Sequence, residues 1–152
     1  MPELPEVETT RRGIAPYLTG QVIRALHVHQ PRLRWPVPTE LTQALEGQAA
    51  TAVERRAKYL LVHFEHGTLI VHLGMSGSLR LAAHGTPRLT HDHIELDLGE
   101  AGVMRYNDPR RFGAWLWSND WEHHPLLATL GPEPLSDDFD GHWLYRLAKG
   151  RR

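Results

Sequence analysis

The sequence predicts a mainly β, α+β chain: a two-layer antiparallel β-sandwich flanked by an amino-terminal and a carboxyl-terminal helix. Three observations carry this expectation. Apolar runs of strand length outnumber helical patterns, most of them alternate apolar with polar residues, and short turn sequences such as Glu65-His66-Gly67 join neighbouring runs closely enough for hairpins.

With 152 residues and 41% hydrophobic content, the chain is long enough for one globular core. No segment has the apolar length of a membrane span and no signal peptide precedes the Pro-rich start, so a cytoplasmic location is expected. Cysteine is missing from the composition, which excludes disulfides and any cysteine zinc site within these residues. The balance of 17 basic and 18 acidic residues gives a net charge of −1. Charge alone therefore does not announce a nucleic-acid binder, whose pI commonly exceeds about 9. The distribution says more, because the cations come grouped: Arg11-Arg12, Arg32 with Arg34, Arg55-Arg56 with Lys58, Arg110-Arg111 and Arg151-Arg152. Together they could build one basic face, although each pair taken singly is more often a solvated surface feature.

Along the chain, Pro5 suits a first helical turn and Glu6 and Glu8 suit the positive end of a helix dipole. Leu4, Val7, Ile14 and Leu18 fall near one face, so a helix is expected from here to about Gly20. Leu26 and Val28 then alternate with His27 and His29 as in a strand, which Pro31 and Pro36 break. Between the prolines, Trp35 is read as a cap on the core edge, with Arg32 and Arg34 out in water rather than on a nucleic-acid backbone. Residues 39–47 read as a short helix or turn, and strands follow at 52–54, 59–64 and 68–73. The unbroken run Tyr59-Leu60-Leu61-Val62 marks a strand buried on both faces. Gly74-Met75-Ser76-Gly77-Ser78 forms a loop whose glycines let the backbone come close to a partner. Ile94, Leu96 and Leu98 alternate with Glu95 and Asp97, giving a strand with one wet face that residues 99–102 turn back into a strand at 103–106. Residues 107–113 form a turn leading into the strand 114–117, and 125–134 form a loop with one apolar turn at Leu126-Leu127. From Ser136, a capping residue, Phe139, Trp143, Leu144 and Leu147 recur at helical spacing up to Gly150.

The chemistry begins at the amino terminus. Removing Met1 leaves Pro2 as a free α-amine, which titrates near about 8, far below a lysine amine at about 10.4, and is a ready nucleophile at neutral pH. Its nitrogen is secondary, so attack on a sugar aldehyde carbon gives an iminium with no N–H to lose, and that cation is an electron sink. Glu3, next in the chain, could move the protons. Lys58 stands at the mouth of a strand; convergence of Arg55 and Arg56 upon it would depress its amine pKa and suit it to acid–base work, and otherwise it is an ordinary strand-end lysine. Met75 either plugs the core or fills an irregular gap with its adaptable thioether. His91 and His93, two apart, would share one face of a strand, yet without a third ligand at a recognisable spacing surface histidine or phosphate contact is favoured over metal. Phe112 on a polar loop is either mere connection or an apolar wedge flanked by arginine.

The opening PELPEVETTRRGI resembles the amino terminus of bacterial formamidopyrimidine-DNA glycosylase, a base-excision enzyme for oxidised purines. RRAKYLL, HLGMSGSLR, HDH, YNDPRRFGAWLW and LGPEPLSDDF resemble later segments of that family in the same order. The resemblance implies a catalytic sandwich domain over 1–135, then over 136–152 a helix and the start of a linker to a helix-two-turn-helix and zinc-finger domain outside these residues. It implies a bifunctional glycosylase and abasic-site lyase, with Pro2 as nucleophile, Glu3 as acid–base residue and Lys58 as late proton donor. Met75 would fill the hole left by a flipped base, Phe112 would wedge into the stack, Arg110 would face the unpaired base, and His91 and Arg151 would contact DNA. Damaged duplex DNA is the expected partner of a monomer, with no membrane and no metal or cofactor in this chain; the zinc of relatives belongs to their cysteine finger. Three other readings remain: an endonuclease VIII-type enzyme for oxidised pyrimidines, against which Leu4-Pro5-Glu6-Val7 and the Arg110-Arg111-Phe112 loop count; a non-catalytic DNA-binding domain; and an inert piece keeping only the fold.

Overall fold

The computed structural model describes residues 4–128. The first helix, α1 (Leu4–Leu18), precedes β1 (Ala25–Val28) and the short α2 (Leu41–Leu45). Three strands follow in a meander: β2 (Ala52–Arg56), β3 (Tyr59–Phe64) and β4 (Gly67–His72). The remaining strands are β5 (Ser78–Ala82), β6 (Asp92–Asp97), β7 (Val103–Asn107) and β8 (Ala114–Ser118), with α3 (Pro125–Ala128) closing the described chain. They form two antiparallel four-stranded sheets, in the orders β1-β6-β7-β5 and β2-β3-β4-β8, which confirms the expected sandwich.

Side-chain alternation explains the shared core. Leu26, Ile94, Leu96, Met104 and Tyr106 of the first sheet and Val53, Leu60, Val62, Leu69, Val71 and Trp115 of the second are buried in one cluster, with Val7, Ile14 and Leu18 of α1 closing it. Each fully buried aliphatic side chain contributes roughly 1.5–3 kcal/mol. β3 is buried on both faces, as its unbroken apolar run predicts, because Leu61 joins a second cluster with Ile70 and Leu127. Phe64 pairs with Gly67, so the hairpin turn is Glu65-His66 alone and Gly67 belongs to β4. A Cβ at Gly67 would run into the Trp117 indole, which is why a glycine stands there.

Two sequence expectations fail. Glu95 was expected on a wet face, but it is only 9% exposed and Asp92 is fully buried. Arg105 Nε donates to Glu95 at 2.6 Å, Arg80 donates twice to Asp92 at 2.8 and 2.6 Å, and the 84–91 loop folds over them, its Thr86 and Pro87 carbonyls accepting from Arg105. Buried charge is tolerated where pairing of this quality replaces water. Trp35 likewise does not cap the core edge: Leu33 and Val37 do, while Trp35 stands 36% exposed with the Arg34 guanidinium 4.9 Å above its ring. Among the described residues no helix is long and apolar enough to cross a membrane.

Candidate functional site

Pro2, Glu3 and Arg151 lie outside the described residues, as does the helix expected from Ser136. The other residues singled out fall on the β2–β3 turn, the β4–β5 loop, the start of β6 and the β7–β8 loop.

Lys58 sits in the two-residue turn between the paired Arg56 and Tyr59, where Ala57 adopts a left-handed φ of 54°. Left-handed backbone without glycine costs energy and persists only where the surroundings impose it. Here Arg55 imposes it by donating Nη1 to the Ala57 carbonyl at 3.1 Å and Nε to Glu8 at 2.9 Å. Arg55 thus ties the turn that carries Lys58 to a carboxylate on α1. Glu8 also accepts from Arg11 at 2.9 and 2.6 Å and from Arg12 at 2.9 Å. Those bonds, Arg11 foremost with Arg55 behind it, outweigh burial and hold the Glu8 carboxyl down to about 2. One partly buried carboxylate thus bolts the amino-terminal helix to the turn that carries Lys58.

This bolt has a measurable pH signature. A carboxyl lowered on folding stabilises the native state fully above its unfolded pKa of about 4.5 and loses that contribution as pH falls through about 2. Glu8→Gln is expected to reduce stability at pH 7 by on the order of 3 kcal/mol, the deficit shrinking towards pH 2. Denaturant titrations of both proteins across pH 2–7 check this, and equal midpoints at pH 7 would show that the bolt contributes nothing.

His72, at the end of β4, is a site residue that sequence reasoning missed. Its Nδ1 accepts the Gly74 amide at 3.0 Å and its ring stands 5.0 Å from that of Tyr59. Burial, then the charges of Arg34 and Lys58, lower its pKa, so it is a neutral imidazole at pH 7 in a cationic neighbourhood. The only sequence signal was its place two residues before the glycine loop.

Met75 and Phe112 are each 47% exposed, so neither plugs the core. Arg110 lies between them, its Nη1 3.7 Å from the Met75 sulfur and its guanidinium 5.7 Å from the Phe112 ring centre. Beside this tip opens a cleft of about 610 Å³ lined by Arg32, Leu33, Arg34, Arg110, Arg111 and Phe112, with four guanidinium-bearing residues and no carboxylate. The Arg34 amide donates to the Gly113 carbonyl at 3.0 Å, which brings the 32–35 segment to the cleft that sequence reasoning had kept apart from it. A chain of near-zero net charge thus gathers four arginines beside the exposed Met75 and Phe112.

Asp108, which drew no attention in the sequence, is fully buried at the centre of this arrangement. Its carboxylate accepts from Tyr106 Oη at 2.7 Å, Ser76 Oγ at 2.9 Å, and the amides of Arg111 at 3.0 Å and Gly113 at 2.9 Å. Its backbone takes the His93 ring on its carbonyl and donates to the His91 carbonyl at 3.1 Å. His91 is exposed while His93 is buried, and their rings stand edge to face with centroids 6.0 Å apart. Among the described residues no cluster of His, Asp or Glu could hold a metal ion.

The sequence matches the family model of the formamidopyrimidine-DNA glycosylase N-terminal domain over residues 1–115. It is 60% identical over all 152 residues to a formamidopyrimidine-DNA glycosylase of Marinobacter nauticus, of which it covers 56%, so the chain spans about half the length of the curated relatives it matches. The fold superposes on a Lactococcus lactis formamidopyrimidine-DNA glycosylase bound non-covalently to DNA containing an abasic site, with a TM-score of 0.80 and 36% identity over 91% of this chain and 54% of that one. Another Lactococcus lactis structure, in complex with DNA containing an oxidised pyrimidine, gives 0.79 and 37% over 91% and 53%.

Proposed function

Because this chain belongs to the formamidopyrimidine-DNA glycosylase family, matched over the N-terminal domain, we propose that it supplies the nucleophile and the intercalating tip of a bifunctional glycosylase and abasic-site lyase acting on oxidised purines in duplex DNA. The observation that carries this reading is the convergence of Met75, Arg110 and Phe112 on one exposed tip above a cleft of arginines. Exposed apolar side chains beside guanidinium groups suit insertion between base steps, with phosphates held alongside.

In this reading the damaged nucleotide is extruded at a cost of a few kcal/mol of stacking, and Met75 occupies the space it leaves. Phe112 opens the stack on the other strand and Arg110 faces the base left without a partner. The Pro2 nitrogen then forms a bond to the sugar carbon as the glycosidic bond breaks, and Glu3 serves the proton transfers of base departure and ring opening. The resulting iminium acidifies the neighbouring sugar proton, and successive eliminations release the phosphates on both sides. Lys58, on a turn fixed to α1 through Arg55 and Glu8, donates a proton late in that sequence. His91, exposed at the start of β6, and Arg151 add phosphate contacts. The chain acts as a monomer in the cytoplasm, and residues 136–152 lead towards the remainder of the longer relatives.

Purine specificity is tested by excision assays on duplexes carrying 8-oxoguanine or an oxidised pyrimidine, using the protein at the full length of its relatives. The 8-oxoguanine duplex is expected to be the faster substrate, and the reverse order would favour the endonuclease VIII type. Phe112→Ala is expected to weaken discrimination between lesion and undamaged pairs more than it weakens overall binding, because phosphate contacts hold any duplex. Equal losses on both duplexes would reduce Phe112 to a surface aromatic.

A further inference from the structure

Resting on the proposed reading of the exposed tip, we infer that the Met75 loop and the Arg110–Phe112 loop insert as one rigid unit latched by Ser76, a positioning residue for base extrusion. The two loops leave different strands, the first after β4 and the second after β7. Two separate flexible wedges would each lose conformational freedom on entering DNA; a preassembled pair does not. Ser76 joins them: its hydroxyl donates to Asp108 Oδ1 at 2.9 Å and accepts the Arg110 amide at 3.3 Å. The same Asp108 oxygen accepts the Arg111 amide, whose residue holds a left-handed φ of 58° without being glycine. Strained backbone of this kind persists only where hydrogen bonds over-determine it.

The backbones also touch. Gly74 has a φ of 66°, and a Cβ there would stand 2.6 Å from the Gly113 nitrogen and the Phe112 carbonyl carbon. No side chain fits between the loops at that point, so they cannot slide past one another while the hydroxyl and carboxylate bonds last. Arg110, linked to the Met75 sulfur on one side and over the Phe112 ring on the other, completes the unit at its surface. Ser76 itself is part-buried, and its expected influence on DNA passes through Met75 and Arg110.

Two measurements test the latch. In the chain without DNA, Ser76→Ala is expected to speed amide hydrogen exchange at Arg111 and Gly113 by at least about tenfold, although both lie in the other loop, while Ser76→Thr restores protection. The thermal midpoint serves as the control for folding. In the full-length protein, Met75→Ala and Phe112→Ala are expected to be non-additive in lesion preference, the double variant losing several-fold less than the product of the single losses. In the Ser76→Ala background the losses are expected to multiply. Unchanged exchange in Ser76→Ala, or multiplicative losses in the parent, would overturn the latch. If neither single substitution alters lesion preference, the nucleic-acid reading of the tip fails, and the exchange measurement still decides whether the loops are latched.

Discussion

Glu3→Gln, in the protein at the full length of its relatives, is expected to leave duplex binding intact and to slow base release by about 10²–10⁴-fold, the range in which a positioned acid–base group contributes. The carboxamide keeps the shape and the hydrogen-bonding reach of the side chain and loses its ability to accept and return a proton. Single-turnover excision of 8-oxoguanine, with affinity measured separately, isolates that step. A wild-type excision rate would remove Glu3 from the acid–base role.

A second large effect concerns the 152 residues on their own. This polypeptide is expected to fold, because α1 and both sheets already close a common core from Val7 to Trp115. It is also expected to excise little or no damaged base. Only four arginines line its open cleft, and a near-neutral chain with few phosphate contacts binds duplex at about 10⁻⁴–10⁻⁶ M in physiological salt. Kinking and base extrusion need a grip from the opposite side. In this account it comes from the part of the relatives beyond the 56% that the chain covers. Single-turnover assays at low and physiological salt, on samples with the circular dichroism of folded β-structure, check this. Excision at the rate of the longer protein would show that the additional part is dispensable.

The sandwich was legible because its signals are local. Leu26 with Val28, and Ile94, Leu96 and Leu98, alternate as strands do, and Gly99 to Gly102 marks the reversal between β6 and β7. Met75 and Phe112 could be singled out because an apolar side chain on a glycine-rich or polar loop is an anomaly without any structure. The illegible parts depend on residues distant in sequence. Glu8 and Arg55 are 47 apart, Ser76 and Asp108 are 32 apart, and neither pair leaves a trace in periodicity. The same limit hid the cover over Glu95: alternation assigned it to the outer face, but only the fold of the 84–91 loop over Arg105 shows that it is shielded from water there. Trp35 misled because size suggests burial, whereas the smaller Leu33 and Val37 take the core positions and leave the indole to Arg34.

In the proposed mechanism the nucleophile is the amine of Pro2, freed by removal of Met1. The most direct measurement is borohydride reduction of the protein on DNA carrying an abasic site, followed by intact mass and peptide mapping of the adduct. A stable cross-link is expected in which Met1 is missing and the sugar remnant is on the Pro2 nitrogen, with no adduct on Lys58. A cross-link on protein that retains Met1, or one mapped to Lys58, would contradict it.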